Sequence, residues 1–202
     1  FCTPTQLFNS NGNIRENPFT DVNKSLFDLL NSVGLNQLGM YWRLDKIKQL
    51  NGVNTGFNYS MDLDLWKRFL LTFGKDNTAF DETVTGYFRL CEDSKTGSDL
   101  EVNFDSFEKE NNAALRHYAA CAGQNYLKGV EFLFPNVDKD LASLKPASEL
   151  PPTVIKNWLT SLFYSEARKA FYEESFKKSY KLSSLIDAQY MDVNELKNLS
   201  SY

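Results

Sequence analysis

Three cysteines and a single histidine among 202 residues leave little material for metal or redox chemistry. Cys2, Cys91 and Cys121 are too few and too scattered for a disulfide framework or a zinc site, a usage that fits a reducing compartment. His117 falls in the middle of a predicted helix, where a structural role is expected. Positive charge is short as well: a net charge of −4 supplies no overall field to draw the chain onto nucleic acid or anionic lipid. No apolar run reaches the length of a bilayer span, and no basic-then-apolar leader is present. A cytoplasmic location is therefore expected. The chain opens at Phe1 rather than Met, as expected of a processed chain or a piece of a longer one. The N-glycosylation patterns at Asn23, Asn58 and Asn198 read as chance matches without a signal sequence. Internal repeats and low-complexity tracts are also lacking.

What is present is an ordinary globular composition rich in aromatics. Hydrophobic residues make up 42% and charged residues 24%, which excludes disorder. The length suffices for one sizeable core, or for a core with a helical appendage. Sixteen Phe and ten Tyr bring the aromatic share to 14%, enough to fill a core and to offer surfaces that stack on sugars.

The first half reads as mixed α/β. Turn formers at Asn9-Ser-Asn-Gly12 precede a short helix predicted over 26–33, ended by Gly34, and another over 44–50. The loop 51–56 is glycine-bearing but lacks the spacing of a phosphate cradle. Leu63, Trp66, Phe69, Leu70 and Phe73 recur at helical spacing up to Gly74, with Asp62 and Asp64 in the first turn, where carboxylates complement the helix dipole. Thr83 to Leu90 is β-branched and aromatic enough for a strand. Past residue 100 the pattern becomes helical. Asp105-Ser-Phe-Glu108 has capping-box spacing and predicts a helix start there, running to about Cys121. Pro151-Pro152 introduces a helix to about Tyr172, and a last helix is expected over 174–188.

Two segments carry candidate chemistry. In Tyr59-Ser-Met-Asp62-Leu-Asp64-Leu-Trp66-Lys-Arg68, Asp64 and Arg68 lie four apart and pair along one helical face. Asp62, at or before the helix, suits either a cap or a general base pointing into a cleft. In Phe88-Arg89-Leu-Cys91-Glu-Asp-Ser94-Lys95-Thr96 a strand end runs into a polar loop, where Arg89 and Lys95 suit phosphate oxygens if the loop is more than a solvated turn. Glu110 suits an acceptor-side role, or the solvated face of its helix. The stretch 166–181 holds five basic and three acidic residues among Phe171, Tyr172, Phe176 and Tyr180; it suits a membrane surface or an amphipathic helix packed on the body.

Taken in order, these segments resemble family-2 inverting glycosyltransferases. Met61-Asp62-Leu-Asp64-Leu-Trp66-Lys-Arg68-Phe is similar to that family's acidic-Asp-x-Asp-Leu-Trp-x-Arg-Leu stretch. Phe88 to Thr96 is similar to its later Tyr-Arg-x-His-x-x-Ser-x-Thr stretch, and Gln37-Leu-Gly-Met-Tyr41-Trp42-Arg43 to its upstream Gln followed by an aromatic-Arg pair. Phe1 to Phe19 resembles the stretch after the family's metal-binding motif. The likeness covers about residues 1–120.

The resemblance implies a partial GT-A (Rossmann-like) α/β domain over 1–100, on the acceptor side, followed by a mainly helical region over 101–202. It implies transfer of a sugar with inversion from a nucleotide-sugar donor to a saccharide or lipid-linked acceptor. Asp62 would deprotonate the acceptor hydroxyl, with Trp66, Arg68 and Asp64 around it. Gln37, Trp42 and Arg43 would line the acceptor side, and Arg89, Lys95 and Thr96 would lie near the diphosphate or acceptor. Mg²⁺ or Mn²⁺ is expected for the intact enzyme, bound mainly by a donor half that these residues do not match, so transfer by this chain alone is not expected. No metal ligand is assigned here, no nucleic-acid partner is expected, and a lipid-linked acceptor would bring the chain to the inner face of the membrane. Met61 stands where the family has an acidic neighbour, and Cys91 where it has a histidine. Two other functions fit the composition: carbohydrate binding without catalysis, and a helical interaction protein.

Overall fold

The computed structural model describes residues 1–8, 11–12, 14–17, 25–31, 37–89, 100–135 and 150–191. The chain divides into two compact units, Phe1–Asn111 and Asn112–Tyr202.

The first unit is mixed α/β. Its three-stranded sheet has the order β2-β1-β3, with β1 over Thr5–Phe8, β2 over Ile14–Asn17 and β3 over Gly86–Arg89. β1 pairs antiparallel with β2, Leu7 opposite Arg15, and parallel with β3, Leu7 opposite Phe88. The parallel pairing joins residues some eighty positions apart, and three helices of the unit lie within that long crossover. Upstream of β1, Cys2 bridges to Met40 on one side and Phe80 on the other. The backbones approach so closely that a Cβ on Gly39 would stand 2.1 Å from the Thr3 carbonyl oxygen, so only glycine fits.

Helices α1 (Leu26–Asn31), α2 (Leu44–Gln49) and α3 (Met61–Phe73) complete the unit, together with the start of α4 (Leu100–Ala122). α3 is its central element, with every residue from Leu63 to Leu71 buried. Leu65 and Phe69 pack with Leu50, flanked by Trp42, Ile47 and Phe73. This degree of burial forces its charged residues to find partners inside. Asp64 and Arg68 do form the expected i,i+4 pair at 2.8 Å, but their side chains are fully buried, not on the surface. The guanidinium goes further, donating to the Leu50 carbonyl at 2.6 Å and the Gly52 carbonyl at 2.8 Å. One side chain therefore binds α3 to the C-terminal end of α2 and the turn after it. Asn51 and Gly52 hold that turn with φ of 58° and 72°.

The described part of the second unit is helical. α5 (Gln124–Leu133), absent from the sequence reading, is separated from α4 by Gly123 at φ 126°, a conformation that ends one helix and lets the next begin. α6 (Pro152–Tyr172) is the core of this unit, burying Ile155, Leu159 and Phe163 completely. Tyr126 stacks on Phe163 at 6.1 Å, and α7 (Phe176–Ser183) packs along α6.

Three boundaries differ from expectation. α4 begins at Leu100, so Asp105 is no cap; it lies inside the helix and pairs with Lys109 at 2.6 Å. Nothing in Leu100–Phe104 opposes helix, so the Asp–Glu spacing marks no start. The strand expected over 83–90 shortens to Gly86–Arg89, because β1 offers four residues to pair with and the Asp81 side chain turns the chain at Thr83. The last helix starts later and ends sooner than 174–188: Glu174 takes φ 58°, and a separate 3-10 turn at Ala188–Tyr190 is capped by Asp187. Of the first helix, residues 32–34 lie outside the described ones.

Arg68→Met leaves the Asp64 carboxylate buried without its partner. It is expected to lower the unfolding free energy by about 3–5 kcal/mol. Adding Asp64→Asn is expected to recover part of that, since it removes the orphaned charge. Urea denaturation of both variants reads the two effects; a single variant within about 1 kcal/mol of the parent would contradict the anchoring role.

Candidate functional site

The start of α3 is set by a carboxylate from another helix. Glu110, expected on a solvated face, is buried instead. Its two oxygens accept the backbone N–H groups of Asn58, Tyr59 and Ser60, each at 2.8 Å, and the Ser60 hydroxyl at 3.1 Å. Three successive amides converging on one charge fix the chain that enters α3. Ser60 is the N-cap residue, and Asp62 sits in the first turn, half-exposed, accepting the Leu63 N–H at 2.8 Å.

At about 100° per residue, Asp62, Trp66, Phe69 and Phe73 fall on one stripe of α3. Asp64 and Arg68 face the other way, towards Leu50 and Gly52. Trp66 and Phe69 of that stripe line a cavity of about 420 Å³, also lined by Tyr41, Trp42, Arg43, Lys46 and Thr78. Trp42 meets Trp66 and Phe69 edge-on, at 5.9 and 5.2 Å, while Trp66 and Phe69 lie parallel. Lys46 places its ammonium 4.3 Å from the Phe73 ring centre. Arg43, exposed at the head of α2, holds Asp45 in a two-pronged pair at 3.1 and 2.8 Å and keeps that carboxyl below the usual range.

Two polar atoms of the lining, the Trp66 indole N–H and the Thr78 hydroxyl, are buried with no hydrogen-bond partner among the described residues. Such orphans are rare in native proteins.

The expected site residues are thus only partly brought together. Trp42, Arg43 and Trp66 line the cavity. Asp62 stands one turn up the same stripe but is not part of the lining. Asp64 and Arg68 serve the fold. Gln37 is exposed at the head of a 3-10 turn, and Arg89 is exposed at the end of β3; neither lines the cavity. Cys91, Ser94, Lys95 and Thr96 lie outside the described residues.

The chain matches no family model, no curated protein and no solved structure.

Asp62 and Asp64 do not form a metal site. Two residues apart on a helix they point to opposite sides, and Asp64 is committed to Arg68. Among the described residues there is no group of three or more His, Cys, Asp or Glu placed to hold an ion. His117 stands 3.6 Å from the sulfur of Cys121 one turn on.

Sequence reasoning missed Tyr41, Lys46, Phe69 and Thr78 as lining residues. The helical period placed Phe69 with Trp66; Thr78 carries no local signal, since only the fold brings it there. Lys67 was missed too. It is buried, its ammonium donates to the Asn111 side chain at 2.6 Å, and burial pushes it from 10.5 to about 8 against the opposing pull of Asp64. In the unfolded chain Lys67 keeps its ordinary affinity, so between pH 8 and 10.5 the unfolded state binds more protons. Stability is therefore expected to rise across that window by roughly 3 kcal/mol from this group. Lys67→Met should abolish this rise, read as the difference between the two proteins in denaturant titrations against pH. Parallel curves for the two would refute it.

Proposed function

We propose that this chain is the acceptor-side part of a GT-A inverting glycosyltransferase, transferring a sugar from a nucleotide-sugar donor to a saccharide or lipid-linked acceptor. The observation that carries the reading is the cavity. Indole and phenyl rings wall it, and a carboxylate stands one turn along the same stripe. Aromatic faces take the C–H face of a sugar ring. Lys46 adds positive charge at the cavity, where Arg43 is paired with Asp45.

In this reading Asp62 is the general base. It removes the proton of the acceptor hydroxyl, whose oxygen forms the bond to the anomeric carbon as the bond to the nucleoside diphosphate breaks on the opposite face. The amides held by Glu110 keep the base-bearing turn in place. The Mg²⁺ or Mn²⁺ that the leaving diphosphate calls for would be held mainly by the donor-binding half, outside this chain.

A second reading, carbohydrate binding without transfer, is favoured by the absence of Asp62 from the cavity lining. Asp62→Asn, made in the protein that also carries the donor-binding half, separates the two. Turnover is expected to fall by about 10²–10⁴-fold with an unchanged melting curve, whereas unchanged turnover would remove Asp62 from the chemistry. Calorimetry on the chain itself addresses the cavity. Trp42→Ala should weaken oligosaccharide binding about tenfold or more, and saccharide binding by a parent protein that shows no turnover supports the second reading.

A further inference from the structure

The second unit carries a surface that the transfer reading does not use. Phe171, Tyr172, Phe176 and Tyr180 are 55, 64, 58 and 79% exposed, and they crowd the corner where α6 turns into α7. They form a continuous patch: Phe171 lies 6.0 Å from Tyr172 and 5.7 Å from Phe176, ring centre to ring centre. Phe176 and Tyr180, four apart on α7, share one face. Leu182, fully buried, holds the opposite side of α7 against the unit.

Charge at this corner opposes that of the whole protein. Residues 166–181 carry five basic and three acidic groups, against a net −4 for the chain. Within α7 itself Lys177, Lys178 and Lys181 meet no acidic residue. Lys178 reaches Glu166 at 3.8 Å, while Glu173 and Glu174 occupy the connecting turn. Lys177 lies one residue around from Phe176, and Lys181 one from Tyr180, its ammonium 3.8 Å from the centre of the Phe132 ring on α5. Alongside runs a groove of about 430 Å³ between α6 and α7, lined by Tyr164, Ala167, Phe171, Tyr172 and Ile186 among others, and the buried Tyr164 hydroxyl has no hydrogen-bond partner among the described residues.

We propose that this corner docks on the surface of an anionic lipid bilayer. The rings enter the headgroup–acyl boundary, where amphipathic aromatic side chains are favoured. Lys177 extends along it to lipid phosphates, and Lys181 reaches them by exchanging its contact with the Phe132 ring for the lipid surface. No described helix is long and apolar enough to cross a membrane, so the contact is peripheral. The chemistry favours lipid over nucleic acid, because the exposed surface is chiefly aromatic and the basic groups sit at its edge. The proposal rests on the second unit alone and stands apart from the transfer reading.

The test is co-sedimentation of the chain with vesicles of phosphatidylcholine alone and of phosphatidylcholine mixed equally with phosphatidylglycerol. Binding is expected on the anionic vesicles and to weaken with added salt. Phe176→Ser with Tyr180→Ser is expected to lower the partition coefficient at least about tenfold, as is Lys177→Glu with Lys181→Glu. All four positions are exposed, so circular dichroism melting curves should match the parent. Absence of binding to the anionic vesicles, equal binding to both vesicle types, or variants that bind like the parent would each overturn the proposal. Capture by an acidic peptide such as poly-glutamate without vesicle binding would overturn it in favour of a protein partner.

Discussion

The first unit depends on one buried guanidinium. Arg68 is withdrawn from water, yet each face of its fork is satisfied: by the Asp64 carboxylate, by the last carbonyl of α2's C-terminal turn, and by a carbonyl of the left-handed turn that follows. A charge so placed is costly to isolate, which makes the arrangement all-or-none. It sets how α3 lies against α2 and so which stripe of α3 remains to face the cavity. Trp42, just before α2, and Trp66 and Phe69, on α3, meet edge-to-face where that tie and the packing of Leu50 against Leu65 and Phe69 hold the two helices together.

A second carboxylate does the corresponding work at the other end of α3. Glu110 gathers three consecutive amides that would otherwise be orphaned donors near a helix start. The turn bearing Asp62 is thus held from behind by buried charge, while the Asp62 side chain itself remains half-exposed. Lys67 and Asn111 add a further buried contact between α3 and α4 inside the same unit. The polar groups that look most chemical in the sequence therefore divide into two kinds. Asp64, Arg68 and Glu110 are structural, as is Lys67, and their burial rigidifies the place where Asp62 is presented.

The second unit is organised differently, by apolar burial along α6 with small residues allowing close approach. Gly129 lies so near Phe163 that a Cβ would stand 2.4 Å from the ring edge. With that core formed, the aromatics of the α6–α7 corner remain exposed.

The sequence by itself determined α3 and α6, because long amphipathic periods and their stop signals are local properties: Gly74 after one helix, Pro152 at the head of the other. It also determined that Asp64 and Arg68 pair, since i,i+4 spacing is a fact of helix geometry. It did not determine whether that pair meets water, because burial depends on what packs over it. The start of α4 was illegible for a related reason: a capping pattern reads the same inside a helix as at its head, and only the continuing backbone distinguishes them. Only the tertiary structure decided that Glu110 reaches residues 58–60, some fifty positions away, and that Thr78, Tyr41 and Trp66 share one cavity. Contacts of that range carry no periodic signal. The aromatic corner lies between: its residue types were plain in the sequence, but their exposure follows from Leu182 alone being buried along α7, which turns Phe176 and Tyr180 outward.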